Sequence, residues 1–126
     1  MAKQVFSIEG MGKAGPYSHA AAANGFLFLS GQIPIDYSTN TPVTDSIEAA
    51  THQVLKNIGR VLEATGTRLE DVLKVTIFLA DMADYQAVNE VYAQYFSTEP
   101  PARSAVAVKE LPLGMPVEME VIAVRR

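Results

Sequence analysis

Three segments of this 126-residue chain are apolar at both parities: "VTIFLA" at 75–80, "AVAV" at 105–108 and "VIAV" at 121–124. Successive side chains of a strand point to opposite faces, so runs like these belong to strands covered on both faces. A sheet built from them needs a layer on each side. The chain offers two helical segments, and two helices cover only one face. The second face therefore requires another copy of the chain, and the expected state is an oligomer whose sheets pack together.

The remaining elements follow from local chemistry. A short strand is expected at Val5–Glu9 and a glycine-rich loop at Met11–Pro16. Asn24-Gly25 stands between two apolar runs, a strong type I′ hairpin signal, with strands near Ser18–Ala23 and Phe26–Gln32. Prolines and threonines make 33–43 a loop. "DSIEAATHQVLKNIGRVLEATG" is a helix, with Asp45 as its cap, Glu48 completing a capping box, and Gly66 as its stop. Ile47, Ala50, Val54, Ile58, Val61 and Leu62 share its apolar face. Gly59 inside it suggests close packing, because glycine is otherwise unfavourable there. A strand covers 71–81, and Asp81 or Asp84 caps a second helix running to about Phe96. Strands at 103–109 and 117–125 flank the turn "LPLGMP". The expected order is β-β-β-α-β-α-β-β in one domain, residues 1–126.

Several functions are disfavoured at once. A net charge of −4 and ten scattered basic residues make no nucleic-acid patch. The absence of cysteine removes disulfides, thiolate catalysis and Cys-based metal sites. No segment approaches the length of a membrane span, and Met1–Lys13 carries no signal-peptide pattern, so a soluble, cytoplasmic protein is expected. Neither His19 nor His52 has a metal-ligand partner at a recognised spacing. "GMGKAG" lacks P-loop spacing, and a triad of Ser30, His19 and an aspartate has no supporting pattern.

Arg103 and Glu118 are the charges that strand composition does not explain. Arginine is costly in a buried strand unless an anion meets it. Both residues lie near the starts of their strands, so a simple hairpin would not bring them together. From spacing alone each reads either as an edge charge or as part of a site.

Six blocks then occur in order: "AGPYSHA", "SGQIP", "VLEATG", "DVLKVTIFLADMADYQAVNEVYAQYF", "PPARSAVAV" and "LPLGMPVEMEVIAV". Through them the chain, from about residue 14 to 126, resembles the reactive intermediate deaminase family (RidA, also called YjgF). The resemblance implies a chorismate-mutase-like α/β (α+β) fold: a mainly antiparallel sheet with two helices on one face. It implies a homotrimer with clefts between subunits, and hydrolysis of 2-imino acids such as 2-iminobutanoate and 2-iminopropanoate to 2-keto acids and ammonia. Arg103 matches the residue that grips the substrate carboxylate, and Glu118, the first glutamate of "VEME", matches the catalytic glutamate. Tyr17, Ser30 and Asn89 match pocket positions, Gly31 offers main-chain groups, and Ala105 stands where the family often has cysteine. His19 stands where the family usually has glutamine. No metal or cofactor is expected, because an imine carbon is already electrophilic. The alternative is a trimer that binds small 2-keto acids or other carboxylates without turnover, as a regulatory protein. An RNA-cleaving activity, also reported in the family, gains nothing from a chain without a basic patch.

Overall fold

A computed structural model describes residues 2–125. In chain order the elements are β1 (Gln4–Phe6), β2 (Ala20–Ala23), β3 (Phe26–Gln32), β4 (Ile35–Asp36), β5 (Thr41–Pro42), α1 (Ile47–Ala64), β6 (Val72–Leu79), α2 (Tyr85–Tyr95), β7 (Ala102–Ala107) and β8 (Val117–Val124). Six strands form one sheet in the order β1-β2-β3-β8-β6-β7, and β4 and β5 form a separate ribbon. Every neighbouring pair in the large sheet is antiparallel except β6–β7, which is parallel and joined through α2. The result is the expected α+β sheet with two helices.

Turn chemistry sets the hairpin of β2 and β3. Asn24 and Gly25 both take positive φ, 54° and 82°, as a type I′ turn requires. The first strand ends earlier than expected. Ile8 turns away to donate its N–H to His19 Nδ1 at 2.7 Å, and Gly10 follows with φ 84°. The 33–43 stretch, expected as loop, folds back on itself as the β4–β5 ribbon, with Asn40 at φ 56° in its bend.

The cap of α1 differs from the expectation by one residue. Ser46, not Asp45, is in extended geometry, and its Oγ accepts from Ala49 N at 3.0 Å. That places Ala49 rather than Glu48 at the third helical position, so no capping box forms. Glu48 in the first turn still faces the positive end of the helix dipole. Gly66 ends the helix as expected, at φ 73°. Thr67 N donates to Leu62 O at 2.8 Å and Gly66 N to Glu63 O at 3.1 Å, the two bonds of a Schellman stop. Gly59, however, does not mark close packing, because a Cβ there would meet no atom within 4 Å. At the start of α2, Asp81 accepts from Ala83 N at 2.9 Å and caps a short 3₁₀ turn, Met82–Asp84; the helix proper follows it.

Val54, Leu55, Ile58, Val61 and Leu62 of α1 are buried against one face of the sheet, together with Leu27, Val75, Ile77, Met119 and Val121. Each fully buried side chain of this kind contributes about 1.5–3 kcal/mol relative to an exposed one. The opposite parity faces away from the helices. Phe26 is 44% exposed, Phe28 49% and Val106 44%. The two-sided apolar pattern is therefore real, and its second side is open in a single copy.

Candidate functional site

β6 lies between β7 and β8, so the strands carrying Arg103 and Glu118 do not touch each other. The register fixes their relation. Arg103 pairs with Val75, whereas Val106 and Glu118 both pair with Phe78. Arg103 and Val106 are three residues apart on one strand and so point to opposite faces. Arg103 shares the helix side with buried Val75, and Glu118 shares the open side with Phe78. Within one copy, the two candidate catalytic residues are on opposite faces of the sheet.

On the open side, Tyr17, Ser30, Gly31 and Glu118 line one cavity of about 650 Å³, with Tyr37 and Leu113 among its other walls. Gly31 lies where the β3–β8 register shifts, between Leu29 and Gln32. The shift brings its backbone against Glu118. A Cβ at 31 would stand 2.9 Å from the Glu118 carboxyl carbon and closer still to its Oε2. Burial first, and the Glu120 carboxylate second, push the Glu118 carboxyl above its ordinary value. Glu120 is two residues on, so it shares the same face. Burial, and then Tyr17, likewise raise the Tyr37 phenol.

Ser30 and His19 are engaged by the backbone. Ser30 Oγ donates to Ser18 O at 2.7 Å. His19 is buried, with Nδ1 accepting from Ile8 N and Nε2 3.3 Å from Gly12 O. That pattern assigns the proton to Nε2 and makes His19 a brace for the 8–19 loop. Tyr17 OH accepts from Ala14 N at 3.2 Å, which ties its ring to the same loop.

Arg103, Asn89 and Ala105 lie elsewhere, on the helix side of the sheet-edge strand β7. Arg103 Nη2 donates to Tyr85 OH at 2.9 Å. Its guanidinium carbon stands 4.9 Å from the Tyr92 ring centroid and 5.5 Å from that of Tyr85. No carboxylate of the described residues lies within 4 Å of it. Asn89 falls between the two tyrosines on the same face of α2, and its Oδ1 is buried without a hydrogen-bond partner, as is Tyr92 OH. Burial pushes the Tyr92 phenol up to about 12, against a smaller opposing pull from the Arg103 cation. Ala105 pairs with Ile77 and packs against the core. The cluster is a half-buried cation beside two buried, unsatisfied polar atoms, which suits an external anion such as a carboxylate.

Tyr85 and Tyr92 stand at helical spacing on α2, and nothing in that spacing announces an arginine from a later strand. Tyr37 and Leu113 sit in stretches that read as loop and turn. Among the described residues no group of three or more histidines or carboxylates stands together as a metal site. No helix among them is long and apolar enough to cross a membrane.

Residues 8–125 match the family model described as Endoribonuclease L-PSP. A RutC family protein of Pyrococcus horikoshii is 48% identical over 123 residues, covering 98% of both chains. Reactive Intermediate Deaminase A, chloroplastic, of Arabidopsis thaliana is 48% identical over 122 residues, covering 96% of this chain and 65% of that protein. The crystal structure of RidA from an Antarctic Psychrobacter superposes with a TM-score of 0.91 at 34% identity, covering 96% of this chain and 98% of that one.

Proposed function

The chain belongs to the RidA/YjgF family, and from that premise we propose that it is a 2-iminobutanoate/2-iminopropanoate deaminase. It would hydrolyse the reactive enamines and imines released by pyridoxal-phosphate enzymes in the cytoplasm, giving a 2-keto acid and ammonia. The observation that carries the reading is the division of the site into two incomplete halves. One copy offers a cation without an anion on one face, and a carboxylate-lined cavity on the other. A homotrimer in which Arg103 of one copy meets the Glu118 cavity of the next would complete both. The exposed Phe26, Phe28 and Val106 supply apolar surface for that packing.

In such a cleft Arg103 takes the substrate carboxylate through two parallel N–H···O bonds. Asn89 Oδ1 and Tyr92 OH, each without a partner, stand ready for the substrate or a water. Glu118 accepts a proton from a water held beside Gly31, and the hydroxide adds to C2 of the imine. Glu118 returns that proton to the nitrogen, giving the neutral carbinolamine; the hydroxyl proton then passes through the Glu118 carboxylate to the nitrogen as the C–N bond breaks, releasing ammonia and the keto acid. A carboxyl raised above its ordinary value is better matched to returning that proton than an unperturbed one. RNA is not the expected partner, because among the described residues Lys13 is the only lysine or arginine lining the cavity.

The test is direct. An amino-acid oxidase generates the imine, and its decay is followed with and without the protein. Acceleration supports the reading, and no acceleration for any small imine overturns it. Saturable binding of 2-oxobutanoate without a rate effect would instead support the carboxylate-binding alternative. A single copy favours that alternative, because it holds its anion-binding arginine cluster apart from Glu118.

The pH profile carries a signed prediction. The first step needs Glu118 ionised, so the rate should rise with pH through an acid limb above the usual carboxylate range. Glu120→Gln removes a like charge and should shift that limb to lower pH. Burial remains, so the limb should not return fully to an ordinary carboxylate position. An unmoved limb in a pH–rate titration would count against Glu118 as the titrating base.

A further inference from the structure

We infer that Leu113 determines side-chain specificity, selecting 2-imino acids with branched or extended apolar side chains over the smallest ones. The inference rests on the deaminase reading and adds to it. Three observations converge on this residue. First, Leu113 has φ 58° and ψ 20°, a left-handed conformation that a leucine adopts only when its surroundings impose it. Second, its neighbours do impose it. Gly114 N donates to Leu111 O at 3.0 Å and Met115 N to Pro112 O at 3.1 Å, while Leu111 and Met115 are buried and anchor both ends of the turn. Third, the residue so held is 71% exposed, more than any other large apolar residue among the described residues, and it lines the Glu118 cavity.

A strained backbone that presents hydrocarbon to a cavity needs a reason beyond folding, since burial of Leu113 gives little in return. The rest of the wall indicates one. Ile33, Ile35, Tyr37 and Pro112 continue the apolar surface from Leu113 within the same cavity of about 650 Å³. The carboxylate of the substrate belongs to Arg103 on another copy, and the imine carbon to Glu118. The cavity walls remain for the side chain. A methyl group would leave them wet. Each further methylene removed from water there is worth roughly fourfold in kcat/KM.

Leu113→Gly isolates the side chain, because glycine adopts the same positive φ without a Cβ. The turn is kept, and a thermal midpoint no lower than that of the parent checks this. The readout is kcat/KM for the leucine-derived imine divided by that for the alanine-derived imine. The ratio is expected to exceed ten in the parent, to fall about tenfold in Leu113→Gly, and to fall further in Leu113→Asp, which sets a charge in the apolar wall. A ratio unchanged within twofold in both variants overturns the inference, whereas a structural role would lower both rates together. If the parent hydrolyses no imine, the deaminase reading fails by itself. The inference is then decided by calorimetric titration with 4-methyl-2-oxopentanoate and pyruvate. Tighter binding of the larger acid, lost in Leu113→Gly, sustains it, and equal preference in the two proteins overturns it.

Discussion

Glu118→Gln is expected to lower kcat for imine hydrolysis by about 10²–10⁴, the usual contribution of a positioned acid–base group. The glutamine keeps the shape of the side chain but cannot take a proton from water. The strand should not suffer, because Val117 and Met119 on either side stay buried in the core. The stability change has a definite sign. Glu118 has a folded-state pKa above its ordinary value, so its ionised form destabilises the fold at neutral pH. Removing the charge should leave the thermal midpoint at pH 7 equal or higher, and that difference should vanish below the ordinary carboxylate range. Gly31→Ala should mimic the loss from the other side. The new Cβ would meet the Glu118 carboxyl group, which is the far end of a flexible side chain and can swing away. The fold therefore survives while the carboxylate leaves its position, and kcat should fall about 10²-fold. The double variant should be no worse than Glu118→Gln alone, since both changes remove one function. Additive losses would show that Gly31 acts through something other than Glu118.

Arg103→Lys is the second large effect. The charge is retained, but the fork that binds a carboxylate through two bonds is lost, as is the planar face that stacks on Tyr92 at 4.9 Å. KM for a 2-imino acid should rise about 10- to 100-fold, the worth of one charge-assisted hydrogen bond, with kcat changed less. Tyr85→Phe removes the hydroxyl that accepts from Nη2 and should raise KM only a few-fold, because the ring remains beneath the guanidinium. A KM unaffected by Arg103→Lys in steady-state assays would remove the arginine from carboxylate binding.

Local rules carried much of the fold. Asn24-Gly25, the α1 face and its Gly66 stop are short-range chemistry, and each appears where the residues predict it. The misses are long-range. The connection from 108 to 116 is short enough for a hairpin, yet β6 intervenes between β7 and β8. Only the pairing of β7 with β6 through α2 determines that, and it decides which face Arg103 takes. Tyr85 could not be assigned to Arg103 because the two meet across 18 residues and different elements. "LPLG" reads as a turn, but which of its residues takes the left-handed conformation depends on the burial of Leu111 and Met115. The candidate site residues came from matching blocks of sequence, and those blocks are silent about how seven residues divide between two faces.

That division reaches beyond a single polypeptide. In the shared cleft proposed above, a chain lacking Arg103 still brings an intact Glu118 cavity, and a chain lacking Glu118 still brings an intact arginine cluster. Two defective alleles expressed in one cell would then rescue each other through mixed assemblies, whereas two alleles damaged in the same half would not. The opposite faces of β7 and β8 thus turn a question about side-chain geometry into one that a genetic cross can answer.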